Sequence, residues 1–218
     1  MDMLLKEIFR RLNIPLAITQ LPAERSLINV NKGIDDGNAT RISGIESMYP
    51  NVVRIPEKVL VLDFMAFTKR DNINLGHGGW KSLKPYSVGI VRGWKILEKN
   101  AVHAMELRAL KSDRALFQYL DINRADLVIH ERVLGAAYVK MLNLNGIKII
   151  EPPFESRNMY IYFHKKHKAL VPKVLKIIVD IKKDGTFRRI FKNSLSPYVA
   201  KAELDNLIGR ITEIENHD

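Results

Sequence analysis

Leu4, Leu5, Ile8, Phe9 and Leu12 recur at helical spacing with Lys6, Arg10 and Arg11 on the other side, which predicts an amphipathic helix over residues 3–13 that ends near Asn13 and Pro15. A short strand is expected at 16–19. Pro22 then opens a helix over 23–31, which Gly33 terminates, and a strand follows at 38–43. Residues 51–69, rich in Val, Ile, Leu and Phe and broken by Pro56, read as two strands that run out in the polar stretch Thr68-Lys69-Arg70-Asp71-Asn72. From residue 87 the pattern alternates. Strands at 87–91, 104–110 and 127–130 are each followed by a helix, at 96–100, 113–120 and 133–142, and this implies a parallel, doubly wound sheet. Two further strands are expected at 148–151 and 160–163. Two closing helices, at 170–183 and about 197–215, are separated by Asp184-Gly185 acting as a C-cap.

One unit occurs twice. Glu24-Arg25-Ser26-Leu27 leads to Gly33-Ile34-Asp35-Asp36-Gly37, and Asp113-Arg114-Ala115-Leu116 leads to Asn123-Arg124-Ala125-Asp126. Each is an acid-Arg-small-Leu helix opening followed by an Asp and a short strand. Two similar α/β units in one chain imply two lobes, with a ligand expected in the gap between them. The loop Gly76-His77-Gly78-Gly79-Trp80 and the run Pro152-Pro153-Phe154 read as crossovers. The expected division is 1–75 plus 164–218 for lobe 1, and 76–163, with the crossovers, for lobe 2.

With 218 residues, 46% hydrophobic and 27% charged, the chain has ordinary globular composition. Its formal charge is +11, yet Lys and Arg read as spread along the chain, with local clusters only at Lys165-Lys166-His167-Lys168 and Lys182-Lys183. Without zinc-finger spacing, an RNA-binding strand signature or a continuous basic helix, a solvated basic surface is expected rather than a nucleic-acid site. The absence of cysteine excludes thiol catalysis, disulfides and Cys-based metal sites, and suits an oxidising compartment. No apolar run is long enough to span a membrane, and the start, Met1-Asp2-Met3-Leu4-Leu5-Lys6-Glu7, carries no export signal.

The stretch Asn123 to Glu131, with Ser87-Val88-Gly89-Ile90-Val91-Arg92-Gly93, resembles lobe two of the bacterial extracellular solute-binding proteins of family 3, the polar amino-acid-binding receptors of ABC transporters. Lys32 to Gly37 occupies the place of that family's lobe-one motif, and 162–185 resembles its closing segment. The resemblance implies a periplasmic or extracellular receptor whose two α/β lobes close on a small polar solute and present it to a membrane permease, without cofactor, membrane insertion or nucleic acid. In the family's amino-acid binders the acid five positions after the lobe-two Asp holds the ligand ammonium, which here is Glu131. The family's Thr-x-x-Arg turn is replaced by Glu46-Ser47-Met48-Tyr49. The chain starts at the helix after the family's first strand, so a strand supplied by a second copy, and hence self-association, is one expectation.

Arg41 and Glu131 stand at equivalent strand ends, five residues beyond Asp36 and Asp126, where open α/β sheets bind ligands. A zwitterion would place its carboxylate on Arg41 and its ammonium on Glu131; the alternative is that both pair with neighbouring residues. Gly93 lies in a strand-to-helix turn whose N–H groups suit an anionic group. Trp94 either covers the ligand or packs on the lobe surface, and Thr40 and Ser43 either donate to ligand or satisfy nearby backbone. Leu21, with Pro22, is either an apolar ligand wall or a hydrophobic helix entry. Of the six histidines only His130 is placed near the cleft, and no metal or catalytic motif is recognised. Other classes are a ligand-sensing module, a member that binds nothing, and a dehydratase-like enzyme, for which no acid/base pair stands out.

Overall fold

The computed structural model describes residues 1–76 and 78–215, so His77 and His217 lie outside the described residues. The chain divides into two units, residues 1–61 with 157–218 and residues 62–156. It passes between them inside two strands, β3 (Leu60–Thr68) and β7 (Lys148–His164). The boundaries expected in the loop at 76 and near 164 are thus displaced. Pro152-Pro153 thus lies within strand, while the glycine loop at 76 lies beyond the end of β3. Pro152-Pro153-Phe154 and the two expected strands around it are all part of β7.

Unit 1 contains α1 (Asp2–Leu12), α2 (Ala23–Asn31), β1 (Gly37–Arg41), β2 (Val52–Arg54) and the closing helices α6 (Val171–Lys183), α7 (Thr186–Leu195) and α8 (Lys201–Thr212). Both β1 and β2 pair antiparallel with β7, Asn38 opposite Tyr162 and Val53 opposite Phe163. Tyr160 and Tyr162 gather Val30, Ile45 and Val52 into one apolar cluster. Leu4 and Ile8 of α1, Val174 and Ile178 of α6, and Phe187 and Phe191 of α7 are buried, the last two with rings stacked at 4.4 Å. Residues 16–19 form no strand. Ala17 to Gln20 are exposed and pair with no strand among the described residues, so the local preference of Ile18 and Thr19 has no ladder to join. Helix α7 was not expected, although Phe187, Ile190 and Phe191 carry the spacing. Gly185, at φ 78°, ends one helix and directly precedes the next, with Asp184 Oδ1 accepting from Thr186 N at 2.9 Å.

Unit 2 contains β4 (Ser87–Val91), α3 (Lys95–Asn100), β5 (Glu106–Leu110), α4 (Asp113–Asp121), β6 (Leu127–Glu131) and α5 (Arg132–Met141). Strand β4 pairs parallel with β5 and β6, as the alternation predicts, and β3 adds antiparallel to β6 with Phe64 opposite Glu131. Leu116, Phe117 and Leu120 of α4 pack on Met65, Phe67 and Val128, and Leu97 of α3 joins Phe64, Ile90 and Ile129 in a second cluster.

One kind of left-handed turn ends four helices, at Asn13 after α1, Gly33 after α2, Asn123 after α4 and Asn143 after α5, so it is not particular to the repeat. Helices α2 and α4 end in the same turn: Gly33 N donates to Val30 O at 3.0 Å and Ile34 N to Asn29 O at 3.0 Å, while Asn123 N donates to Leu120 O at 2.9 Å and Arg124 N to Tyr119 O at 3.1 Å. Gly33 and Asn123 hold the left-handed position, at φ 74° and 58°. This is the Schellman arrangement, in which the residue after the helix must turn left to satisfy the last carbonyls.

Candidate strand-end site

In unit 2 the carboxyl ends of β4 and β6 bring Gly93, Trp94, His130 and Glu131 together. Asp126, the repeat Asp, anchors these strands: its Oδ2 accepts from Ser87 N at 2.7 Å and from Ser87 Oγ at 2.9 Å. It also pairs with Arg70. The starts of β4 and β6 are thereby locked in register, which aligns their far ends.

Glu131 is the last residue of β6 and the N-cap of α5. Its Oε1 accepts from Val133 N at 3.0 Å and its Oε2 from Leu134 N at 2.8 Å, and the residue is 3% exposed. Burial pushes its carboxyl pKa up; the N–H groups of Leu134 and Val133 and nearby His130 pull it back, and Asp63 adds to the rise. An ionised carboxylate has about four acceptor positions, of which the cap uses two, so capping and contact with a cation are compatible.

His130 lies beneath. Fully buried, its Nε2 is 2.7 Å from Asp113 Oδ1 and its Nδ1 3.1 Å from the carbonyl of Glu131. The bond from His130 holds the Asp113 carboxyl below its ordinary pKa. Its ring centroid is 5.3 Å from that of Trp94 and 5.5 Å from that of Phe117. Trp94 in turn meets Phe64 edge-on at 5.8 Å, so the half-buried indole belongs in part to the apolar packing. Gly93 adopts φ 91°, and its N–H donates to Glu98 Oε1 at 2.7 Å. The side chain of α3 thus occupies a donor that the sequence offered to an anionic group.

The unit 1 candidates gather at the end of β1. Half-buried Arg41 donates from Nη1 to Thr40 O at 2.7 Å, and burial lowers its guanidinium pKa. Thr40 N donates to Asn38 Oδ1 at 3.5 Å, and Ser43 is exposed beside Gly44 at φ 85°. Leu21 is half-buried and stands apart from these in sequence, just before Pro22, the N-cap of α2.

Two groups near Glu131 escaped the sequence reading. Asp63 of β3, 2% exposed, accepts from Ser156 Oγ at 2.6 Å and lies 3.5 Å from Arg132 Nε. Arg132 forks onto Glu151, at 2.7 Å through Nη1 and 2.9 Å through Nη2. A signal existed: an Asp inside the apolar run Leu60 to Phe67 must find a partner on burial. Among the described residues no group of three His, Cys, Asp or Glu could hold a metal ion, and no helix is long and apolar enough to cross a membrane.

No family model matches the chain. An uncharacterized protein of Shewanella oneidensis is 27% identical over 191 residues, which cover 84% of this chain and 71% of that one. Among solved structures, an ancestral arginine-binding protein bound to arginine is 21% identical with a TM-score of 0.69, over 88% of this chain and 85% of the other. The GluR0 ligand-binding core complexed with L-glutamate is 11% identical with a TM-score of 0.75, over 89% and 88%. A histidine kinase sensor domain with similarity to periplasmic binding proteins is 13% identical with a TM-score of 0.71, over 87% and 82%. The chain has the α/β, two-lobed fold of the periplasmic-binding-protein type.

Proposed function

We propose that this chain is a non-catalytic receptor for a small polar solute of the amino-acid class, with Glu131 as the partner of the solute's ammonium group. The observation that carries the proposal is a carboxylate buried at a strand end and oriented by two N–H groups of α5, next in sequence to His130, whose ring lies 5.3 Å from that of Trp94. Burying a carboxylate is unfavourable unless something cationic or hydrogen-bonding offsets it, and an arriving ammonium supplies what the cap leaves undone. Support also comes from solved proteins of the same fold, one bound to arginine and one complexed with L-glutamate. Trp94, whose ring meets that of His130, is a further proposed contact within unit 2.

In its finer form the proposal is transport: a periplasmic or extracellular chain that presents its solute to an ABC-transporter permease. Likeness to a histidine kinase sensor domain favours a second reading, in which the same binding event is signalled rather than delivered.

Thermal unfolding of the purified chain against a panel of amino acids, polyamines and small anions tests the proposal. A true ligand at one hundred times its Kd stabilises by about 2.7 kcal/mol and raises Tm accordingly. Glu131→Gln should remove the shift given by ammonium-bearing ligands while the unliganded variant still unfolds cooperatively. A panel with no shift, or a shift that survives Glu131→Gln, would overturn it.

A further inference from the structure

Residues 165–192 hold ten Lys and Arg against two Asp, a formal excess of eight out of the +11 of the whole chain, and one of the ten, Lys182, is buried against Glu57. The other 25 Lys and Arg are spread along the chain and nearly balanced by acids, so the net excess falls around the clusters at 165–168 and 182–183. It is concentrated on the 3-10 helix Lys165–Leu170 and on α6 and α7. We propose that this surface docks onto an anionic phospholipid membrane, independently of the solute site.

The helices separate their faces cleanly. In α6, Val174, Ile178 and Ile181 are buried while Lys173, Lys176 and Lys183 are exposed; in α7, Phe187, Ile190 and Phe191 are buried while Arg188, Arg189 and Lys192 are exposed. Lys165, Lys166 and Lys168 are exposed on the turn before α6. Some of these cations are already committed: Lys166 pairs with Asp36 at 2.8 Å, Lys176 with Asp180 at 2.7 Å and Arg188 with Asp205 at 3.1 Å. Lys165, Lys168, Lys173, Lys183 and Lys192 make no ion pair among the described residues.

Such a surface matches anionic headgroups, which attract clustered Lys and Arg through the surface potential without requiring insertion. The apolar faces of α6 and α7 are spent on the interior, so contact would be electrostatic and superficial. Single-stranded nucleic acid is a poorer match: its bases need aromatic platforms, and Phe187 and Phe191, the aromatic residues of these two helices, are buried.

The test is co-sedimentation of the full chain with phosphatidylglycerol vesicles and with phosphatidylcholine vesicles at low and high salt. Binding should be confined to the anionic vesicles and be lost on adding salt. Replacing Lys165, Lys168, Lys173, Lys183 and Lys192 by Gln should weaken it at least about ten-fold. Replacing the exposed unit 2 cations Lys81, Lys84, Lys99, Lys111 and Arg124 by Gln removes the same net charge and should leave most of the binding. Equal loss in both variants, no binding to anionic vesicles, or tighter binding to a short DNA duplex than to vesicles would overturn the proposal.

Discussion

Gly135 of α5 lies against Phe67 of β3 so closely that a Cβ on Gly135 would stand 2.2 Å from the ring Cζ and 2.7 Å from Cε2. Three ring atoms lie within 2.9 Å of that position, and Phe67 is itself fully buried and edge-on to Phe117 at 5.2 Å. The contact seats α5, and with it the N–H groups that orient Glu131. Gly135→Ala is therefore expected to destabilise by about 1–3 kcal/mol despite the better helix propensity of Ala, read as a lower urea midpoint. The compensating Phe67→Leu in the Ala background should recover part of the loss.

The paired turns allow a matched comparison. Asn123→Ala should cost about 1–2 kcal/mol for placing an ordinary residue at positive φ, and Asn123→Gly should be close to neutral. Gly33→Ala should cost more than Asn123→Ala, because the new methyl also meets His164 Cε1 at 3.3 Å. Chemical denaturation of the three variants decides it.

Lys182 and Glu57 form an ion pair whose side chains are 1% and 0% exposed, and Glu57 Oε2 also accepts from Glu215 N at 3.3 Å. Burial lowers the Lys182 ammonium pKa against the opposing pull of Glu57. Lys182→Met strands a buried carboxylate and should cost about 3–5 kcal/mol, whereas the double variant Lys182→Met/Glu57→Gln should recover most of that. A double-mutant cycle by urea unfolding gives the coupling.

Acid stability should have a signature in α1. The side-chain bonds from Arg10 and Arg11 lower the Glu7 pKa to about 2, and the N–H and hydroxyl of Thr186, with Arg11, lower that of Asp184 to about 2. Both groups are depressed on folding. Their stabilisation is present above the ordinary carboxylate values of 4.5 and 3.8 and is lost as pH falls toward 2. Glu7→Gln/Asp184→Asn should flatten the dependence of Tm on pH between about 4.5 and 2, with little change in slope above pH 5.

The elements that local rules decide were legible. Helices α1, α2 and α4 and strands β4 and β6 follow from spacing and from Pro22, Gly33 and the buried run at 87–91. What failed was non-local. Residues 16–19 look like a strand but find no neighbour, and β7 runs through Pro152-Pro153 although that signal reads locally as a break. At the site, the strand-end position of Glu131 was readable from its distance to Asp126. That its carboxylate caps α5, that Glu98 takes the Gly93 N–H, and that Asp63 and Arg132 lie nearby were not, since each depends on residues far apart in sequence or on rotamers set by packing.

The order of amino acids by itself determined the period of the helices and strands and the places where Gly or Asn turns left after a helix. These are consequences of backbone sterics and of side chains within a few residues. Only the tertiary structure decided where the units divide, which buried charges meet, and that the surplus lysines of α6 and α7 face outward together. Those outcomes depend on desolvation and on pairing between distant segments, and neither exists until the chain has folded.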